Sequence, residues 1–320
     1  MEFCNDANDY SPDCLRAYAS SLPDHLEEAL STHIDDIVCN GRVCIFGVGN
    51  SAMAGDIVQQ YLDETSSVNI PMVSGEMVPG WLREGDHAII ISYSGLSSEV
   101  IGCYHELRRR GCTLHCITAG GELASLCEMD SVHIIRLPEG IPSRCALGYS
   151  IGYLARLLQA MGVCTLADSL IMAADDIRAY VSRMPGCRVI EDIASKMVGT
   201  VPAIYATSDM LPIAKRWRSD LYQSCSMVAF YGEMPEFDHN EIVGWADPCE
   251  HASNLSMFVI RGPREPETIR IIVDSMVDTL REFNRDLSVI CMFPGDPLIK
   301  NICGCIAGDF ITARVKELMS

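Results

Sequence analysis

Short apolar runs, each closed by glycine or hydroxyl residues and followed by helical periodicity, recur along this chain. Residues 43–46 lead into 47–49 and a helix from about Ser51, and residues 88–91 lead into 92–95 and a helix from about Ser97. Residues 114–117 lead in the same way into 119–121. Strands buried on both faces read as unbroken apolar runs, so their alternation with helices predicts a parallel sheet covered on both sides. Upstream, Leu26, Leu30, Ile34 and Ile37 lie on one helical face, which predicts a helix over 24–38 after Pro23. Two long helical stretches, 145–160 and 166–181, precede a second set of strands at 203–205, 228–231, 257–260 and 289–293. Because both sets show the same order, the expected organisation is two similar α/β domains, 1–160 with its leading helices and 161–320.

Charge and cysteine usage narrow the function classes. The chain carries 24 Lys and Arg against 43 Asp and Glu, a formal net charge of −19, which repels a polyanion and argues against a nucleic-acid partner. The basic triplet Arg108, Arg109 and Arg110 falls at a predicted helix end, where cations offset the macrodipole. No stretch approaches the apolar length of a membrane span, and the N-terminus lacks a signal-peptide pattern, so a soluble cytoplasmic protein is expected. Of the 16 cysteines, Cys44, Cys116 and Cys291 sit inside apolar runs as small hydrophobes. That placement suits a reducing compartment, and without a C-x-x-C pair no metal site is expected.

Candidate chemistry lies in two strand-to-helix turns. In Gly47-Val48-Gly49-Asn50-Ser51-Ala52, glycines let a ligand approach the backbone and the following helix presents free N–H groups to an anion. Alone, this turn also fits a dinucleotide-binding oxidoreductase, with Glu76 as a late candidate for the ribose contact. The second turn, Ser92-Tyr93-Ser94-Gly95-Leu96-Ser97-Ser98-Glu99, ends a buried strand in hydroxyls just before a helix. Capping accounts for one serine but not for Ser92, Ser94 and Ser97 together. Two such turns at the carboxyl edge of one parallel sheet make a phosphate cradle.

With the glycine turn upstream, the Ser-Tyr-Ser-Gly stretch resembles the sugar isomerase (SIS) domain. Pro142-Ser143-Arg144-Cys145-Ala146, Trp217 with its helix, and Pro235-Glu236-Phe237-Asp238-His239-Asn240-Glu241-Ile242-Val243-Gly244-Trp245 extend the likeness. From about residue 40 onward the chain resembles the bifunctional phosphoglucose/phosphomannose isomerases. That resemblance implies two SIS domains, each a flavodoxin-like three-layer sandwich, in a homodimer with a shared active site, working on a phosphorylated sugar without a cofactor. It implies that Gly49, Ser51, Ser92, Ser94 and Ser97 hold the phosphate, that Arg144 stabilises an enediolate, and that His239 acts in ring opening across the dimer interface.

The sequence departs from that family in several places. Where the pattern carries a glutamate as base, six residues beyond the tryptophan, this chain has Gln223. A neutral amide is no base for a carbon acid, which leaves Asp220, Glu233 and Glu236 as substitutes, or else a protein that binds phosphosugars without turning them over. Lys316 is the candidate for the family's C-terminal lysine. Asn50 replaces a usual glycine and Leu96 a usual asparagine.

Overall fold

The computed structural model describes residues 10–246, 254–282 and 287–320. Within them the chain divides into two compact units, one containing residues 20–178 and the other Tyr10–Ala19 with the chain from Ala179 onward. The division thus falls at Arg178 rather than near residue 160, and a short N-terminal stretch belongs with the second unit.

Helix α1 spans Pro12–Leu30, earlier than the expected 24–38. Its buried face, Cys14, Leu15, Tyr18, Leu22, Leu26 and Ala29, runs at helical spacing straight through Pro23. Beyond Leu30, Ser31 turns its hydroxyl onto the Glu28 carbonyl at 2.6 Å, and the Ile37 N–H goes to the Ala160 carbonyl at 2.8 Å. The backbone after the helix is therefore satisfied by a neighbouring segment instead of by another helical turn.

The first unit continues through β1 (Val43–Gly47), α2 (Met53–Thr65), β2 (Met72–Val73), β3 (His87–Ile91), α3 (Ser98–Arg109), β4 (Thr113–Thr118), α4 (Gly121–Asp130), β5 (His133–Arg136), α5 (Leu147–Ala160) and α6 (Leu166–Val181). The strands form one parallel sheet in the order β2-β1-β3-β4-β5. Alternate residues explain the layers. Cys44, Phe46, Ala88, Ile90, Leu114 and Cys116 face Val100, Tyr104, Leu107, Leu123 and Cys127 on α3 and α4, whereas Ile45, Ile89 and Ile117 are buried on the opposite face. Because β2 is added on one side of β1 and β3 on the other, the order of strand addition reverses between β1 and β3. Open α/β sheets bind ligands at that point, beyond the strands' carboxyl ends.

The second unit comprises α7 (Arg188–Met197), β6 (Val201–Thr207), α8 (Leu211–Cys225), β7 (Phe230–Met234), α9 (Glu236–Asn240), α10 (Ile242–Ala246), β8 (Leu255–Ile260), α11 (Glu267–Glu282), β9 (Leu287–Ile290) and α12 (Lys300–Leu318). Its sheet is again parallel, in the order β7-β6-β8-β9. Helix α12 is buried on nearly every side until its last turn, with Lys300, Asn301, Asp309 and Thr312 among its buried residues. It meets α8 at glycines: a Cβ on Gly308 would lie 2.2 Å from Trp217 Cδ1, and Trp217 Nε1 donates to the Gly304 carbonyl at 2.8 Å. Beside them the buried Arg216 lies 2.9 Å from both Asp220 and Asp309. Trp217, prominent in the sequence, thus clamps two helices. Among the described residues no helix is long and apolar enough to cross a membrane.

Candidate functional site

The two expected turns meet at the switch point of the first sheet. After β1, residues Gly49–Ala52 form a single 3-10 turn that runs into α2. There the Ser51 hydroxyl oxygen accepts the Tyr93 backbone N–H at 3.1 Å, which ties the first turn to the second. Ser92 is buried and its N–H is spent on the Ile117 carbonyl at 3.0 Å. Ser94 is exposed, with its hydroxyl accepting the Leu96 N–H at 3.3 Å. Ser97 takes the extended N-cap position of α3, yet its hydroxyl makes no capping bond to that helix. Of the expected anion ligands at this rim, Gly49 and Ser94 are exposed, Ser51 and Ser97 half-buried, and Ser92 buried.

The rim is held by the neighbouring turn after β4. Gly95 has φ +63°, and a Cβ there would lie 1.9 Å from the Gly120 carbonyl oxygen, so only glycine fits. The Leu123 N–H donates to Gly95 O at 2.9 Å and the Ala119 N–H to Tyr93 O at 3.0 Å. Tyr93 extends the connection. Its hydroxyl donates to the Pro138 carbonyl at 3.0 Å and accepts the Ile141 N–H at 3.2 Å, and burial pushes this phenol above its usual range, which keeps it a donor. That contact fixes the segment leading to Ser143–Ala146, a short turn that carries Arg144 and packs against Gly49–Ala52. Arg144 is 1 % exposed, so its guanidinium is held in low dielectric beside these turns. A cavity of about 300 Å³, lined by Tyr93, Ser94, Gly120, Gly121, Glu139 and Gly140, opens beside the rim. The structural part played by Tyr93 is not foreseen from the sequence, although it stands between two of the predicted serines.

In the second unit the candidate residues separate. Gln223 lies on the exposed side of α8, its amide donating to the Ser219 hydroxyl at 3.3 Å. Lys316 is half-buried near the end of α12, its Nζ 6.0 Å from the Tyr10 ring centre. Because Cys225 Sγ contacts the Thr312 carbonyl at 3.5 Å, Gln223 and Lys316 share the C-terminal end of the α8–α12 pair. His239, exposed on α9, follows the carboxyl end of β7. The far end of α8 leads instead into the amino end of β7, so one unit places His239 and Gln223 at opposite edges of its sheet.

Among the substitute bases, Asp220 is the one sealed in the core. It is fully buried and its carboxylate faces Arg216 at 2.9 Å, with no route to a substrate. Glu233 accepts the Ser208 hydroxyl at 2.6 Å, and exposed Glu236 accepts the Asn240 amide at 2.5 Å. The second sheet has a corresponding switch point, but its own side chain fills it. Asp209 accepts the Thr207 hydroxyl at 2.7 Å and the Lys300 ammonium at 2.7 Å, and it presses against Gly262, where a Cβ would come within 2.5 Å. A carboxylate therefore occupies this anion position, and of the two sheets only the first offers an open cradle among the described residues.

Two parallel α/β sheets, with serine-bearing turns at the carboxyl edge of the first, define a protein with two SIS-type domains. Residues 36–154 match the SIS domain family, and residues 189–319 match the bacterial phospho-glucose isomerase C-terminal SIS domain. The chain is similar to curated proteins named bifunctional phosphoglucose/phosphomannose isomerase. It is 23 % identical to the protein of that name from Caldicellulosiruptor bescii over 93 % of this chain and 91 % of that protein. It is 28 % identical to the D-glucosamine-6-phosphate 4-epimerase of Sulfolobus acidocaldarius over 68 % of each chain. The fold is shared with the C-terminal domain of glucosamine-fructose-6-phosphate aminotransferase from Francisella tularensis, with a TM-score of 0.73 at 13 % identity over 95 % of this chain and 96 % of that one.

Proposed function

We propose that this protein is an aldose–ketose isomerase that converts glucose 6-phosphate or mannose 6-phosphate into fructose 6-phosphate through an enediolate. The observation that carries the reading is the Ser51–Tyr93 bond, which joins two hydroxyl-bearing turns into one cradle with the Arg144 turn packed against it. Ser51, Ser94, Ser97 and the N–H groups at the two helix starts take the phosphate oxygens. Arg144 stabilises the enediolate oxygens, and His239 transfers a proton between the ring oxygen and O1 to open the sugar. The opposite placement of His239 and Gln223 in one unit supports a homodimer in which one subunit's histidine completes the other's site. Cys44 and Cys116 carry free thiols within buried strands, which suits a reducing cytoplasm, while Cys14 is disulfide-bonded.

Gln223 supports a second reading, a phosphosugar-binding protein that has lost its base. Its exposed amide stands where the family carries a carboxylate, and of the substitutes only Glu233 and Glu236 are accessible. The test follows binding and interconversion of glucose, mannose, fructose and glucosamine 6-phosphates. Turnover that survives Gln223→Ala and fails in Glu233→Gln or Glu236→Gln establishes a relocated base. Binding without turnover, with activity gained in Gln223→Glu, establishes the second reading, and absence of binding to all four sugars refutes both.

A further inference from the structure

Helix α9 is five residues long, far below the length at which a helix holds itself together. It nevertheless carries His239, whose imidazole is exposed. The surroundings of this helix converge on one side chain in the neighbouring strand. Tyr205, on β6, is 5 % exposed, and its ring lies edge-on to Phe237 of α9 at 4.8 Å and to Trp245 of α10 at 6.2 Å. β7 makes room for the ring with Gly232, where a Cβ would meet Tyr205 Cε1 at 2.3 Å.

The polar contacts run in one direction. Trp245 Nε1 donates to the Tyr205 oxygen at 3.3 Å, and the Tyr205 hydroxyl donates in turn to the Glu241 carboxylate, which follows α9 directly. Burial and the bond to Glu241 both raise the phenol's pKa, so it stays protonated and donates throughout the physiological range. Glu241 closes the backbone of α9 as well, its N–H bonding the Phe237 carbonyl at 2.9 Å. Apolar contact from Phe237 and the bond to Glu241 therefore pin α9 at both ends to a single residue of the rigid sheet.

We propose that Tyr205 is a positioning residue for His239, setting the orientation of the ring-opening imidazole through Phe237, Glu241 and Trp245. This rests on the role given to His239 above. Tyr205→Phe keeps the ring and its packing but removes the link to Glu241 and Trp245. Displacement of about 1 Å at a reacting group lowers rates by roughly 100-fold, so the expected loss in kcat on fructose 6-phosphate is about 10- to 100-fold.

The test compares substrates with and without a ring. A tetrose 4-phosphate, whose phosphorylated O4 cannot close a ring, does not need His239 for opening. Tyr205→Phe should lower kcat on fructose 6-phosphate with KM nearly unchanged, and leave turnover of the tetrose phosphate near that of the unaltered protein. In the ligand-free protein, the imidazole signal of 13C-labelled His239, assigned with His239→Gln, should shift or broaden in Tyr205→Phe and less so in Glu241→Gln. Equal losses on both substrates, or an unchanged His239 signal, overturn the proposal. Should the unaltered protein turn over no hexose phosphate, the isomerase reading falls, while the His239 signal still decides the role of Tyr205.

Discussion

The cradle stands on a contact that one methyl group would destroy. In Gly95→Ala the new Cβ would lie 1.9 Å from the Gly120 carbonyl oxygen, whereas heavy-atom contacts relax only at about 3.5 Å, so the turns after β3 and β4 must part by roughly 1.5 Å. The left-handed backbone at φ +63° adds about 1 kcal/mol for any residue with a side chain. Separation of that size breaks the bonds between the turns at Gly95 O and Tyr93 O and moves Ser94 and Ser97 off the phosphate. Each hydrogen bond to a charged group contributes about 1.5–3 kcal/mol, so losing one weakens sugar-phosphate binding by roughly 10- to 150-fold. Gly162→Ala is the matched control, since Gly162 has φ +67° and a Cβ added there would find nothing within 4 Å, which gives backbone strain without a clash. Calorimetric titration of fructose 6-phosphate into both variants, with melting temperatures in parallel, separates ligand loss from instability. If Gly95→Ala binds as tightly as Gly162→Ala, the packed turns are not what holds the phosphate site.

Two further variants test other parts of the structure. Asp209→Ala strips the 2.7 Å carboxylate from the buried Lys300 ammonium and should cost about 3 kcal/mol in urea unfolding, with Asp209→Asn costing less because its oxygen still accepts; an unchanged midpoint would show that the second anion position is not structurally occupied. His115, hydrogen-bonded to His87 at 3.2 Å, has its pKa pushed by burial down to about 3. The unfolded chain takes up this proton below about pH 6.5 while the native chain refuses it, so stability falls with pH by about 1.4 kcal/mol per unit between pH 6.5 and 3, or about 2 kcal/mol at pH 5. His115→Gln should flatten that slope, and a variant as acid-sensitive as the parent would refute the assignment.

Much of the fold is readable along the chain, but only where the signal is local. β1 and β3 declare themselves because both their faces are buried, so nearly every position is apolar, and β4 follows through its central Leu114, Cys116 and Ile117. β5 gives no such signal, because His133 and Arg136 are exposed at the edge of the sheet and break the apolar run. The spacing places helix α1 too late because Ile34 and Ile37 continue it by chance beyond the point where the backbone leaves the helix. The turns around Ser51 and Ser94 are legible since each is a complete strand–turn–helix unit within about ten residues of sequence.

The amino-acid sequence by itself determined the α/β class, two serine-bearing strand-to-helix turns and the glutamine at 223, since these depend on residue type and short-range spacing. Tertiary structure alone decided that Ser51 bonds Tyr93, that Asp220 is sealed against Arg216, that Asp209 fills the second sheet's anion position, and that Tyr205 anchors the helix of His239. Each of those joins residues distant in sequence, or turns on which face of a helix meets the core, and no pattern along a single strand or helix encodes which distant partner its side chains will meet.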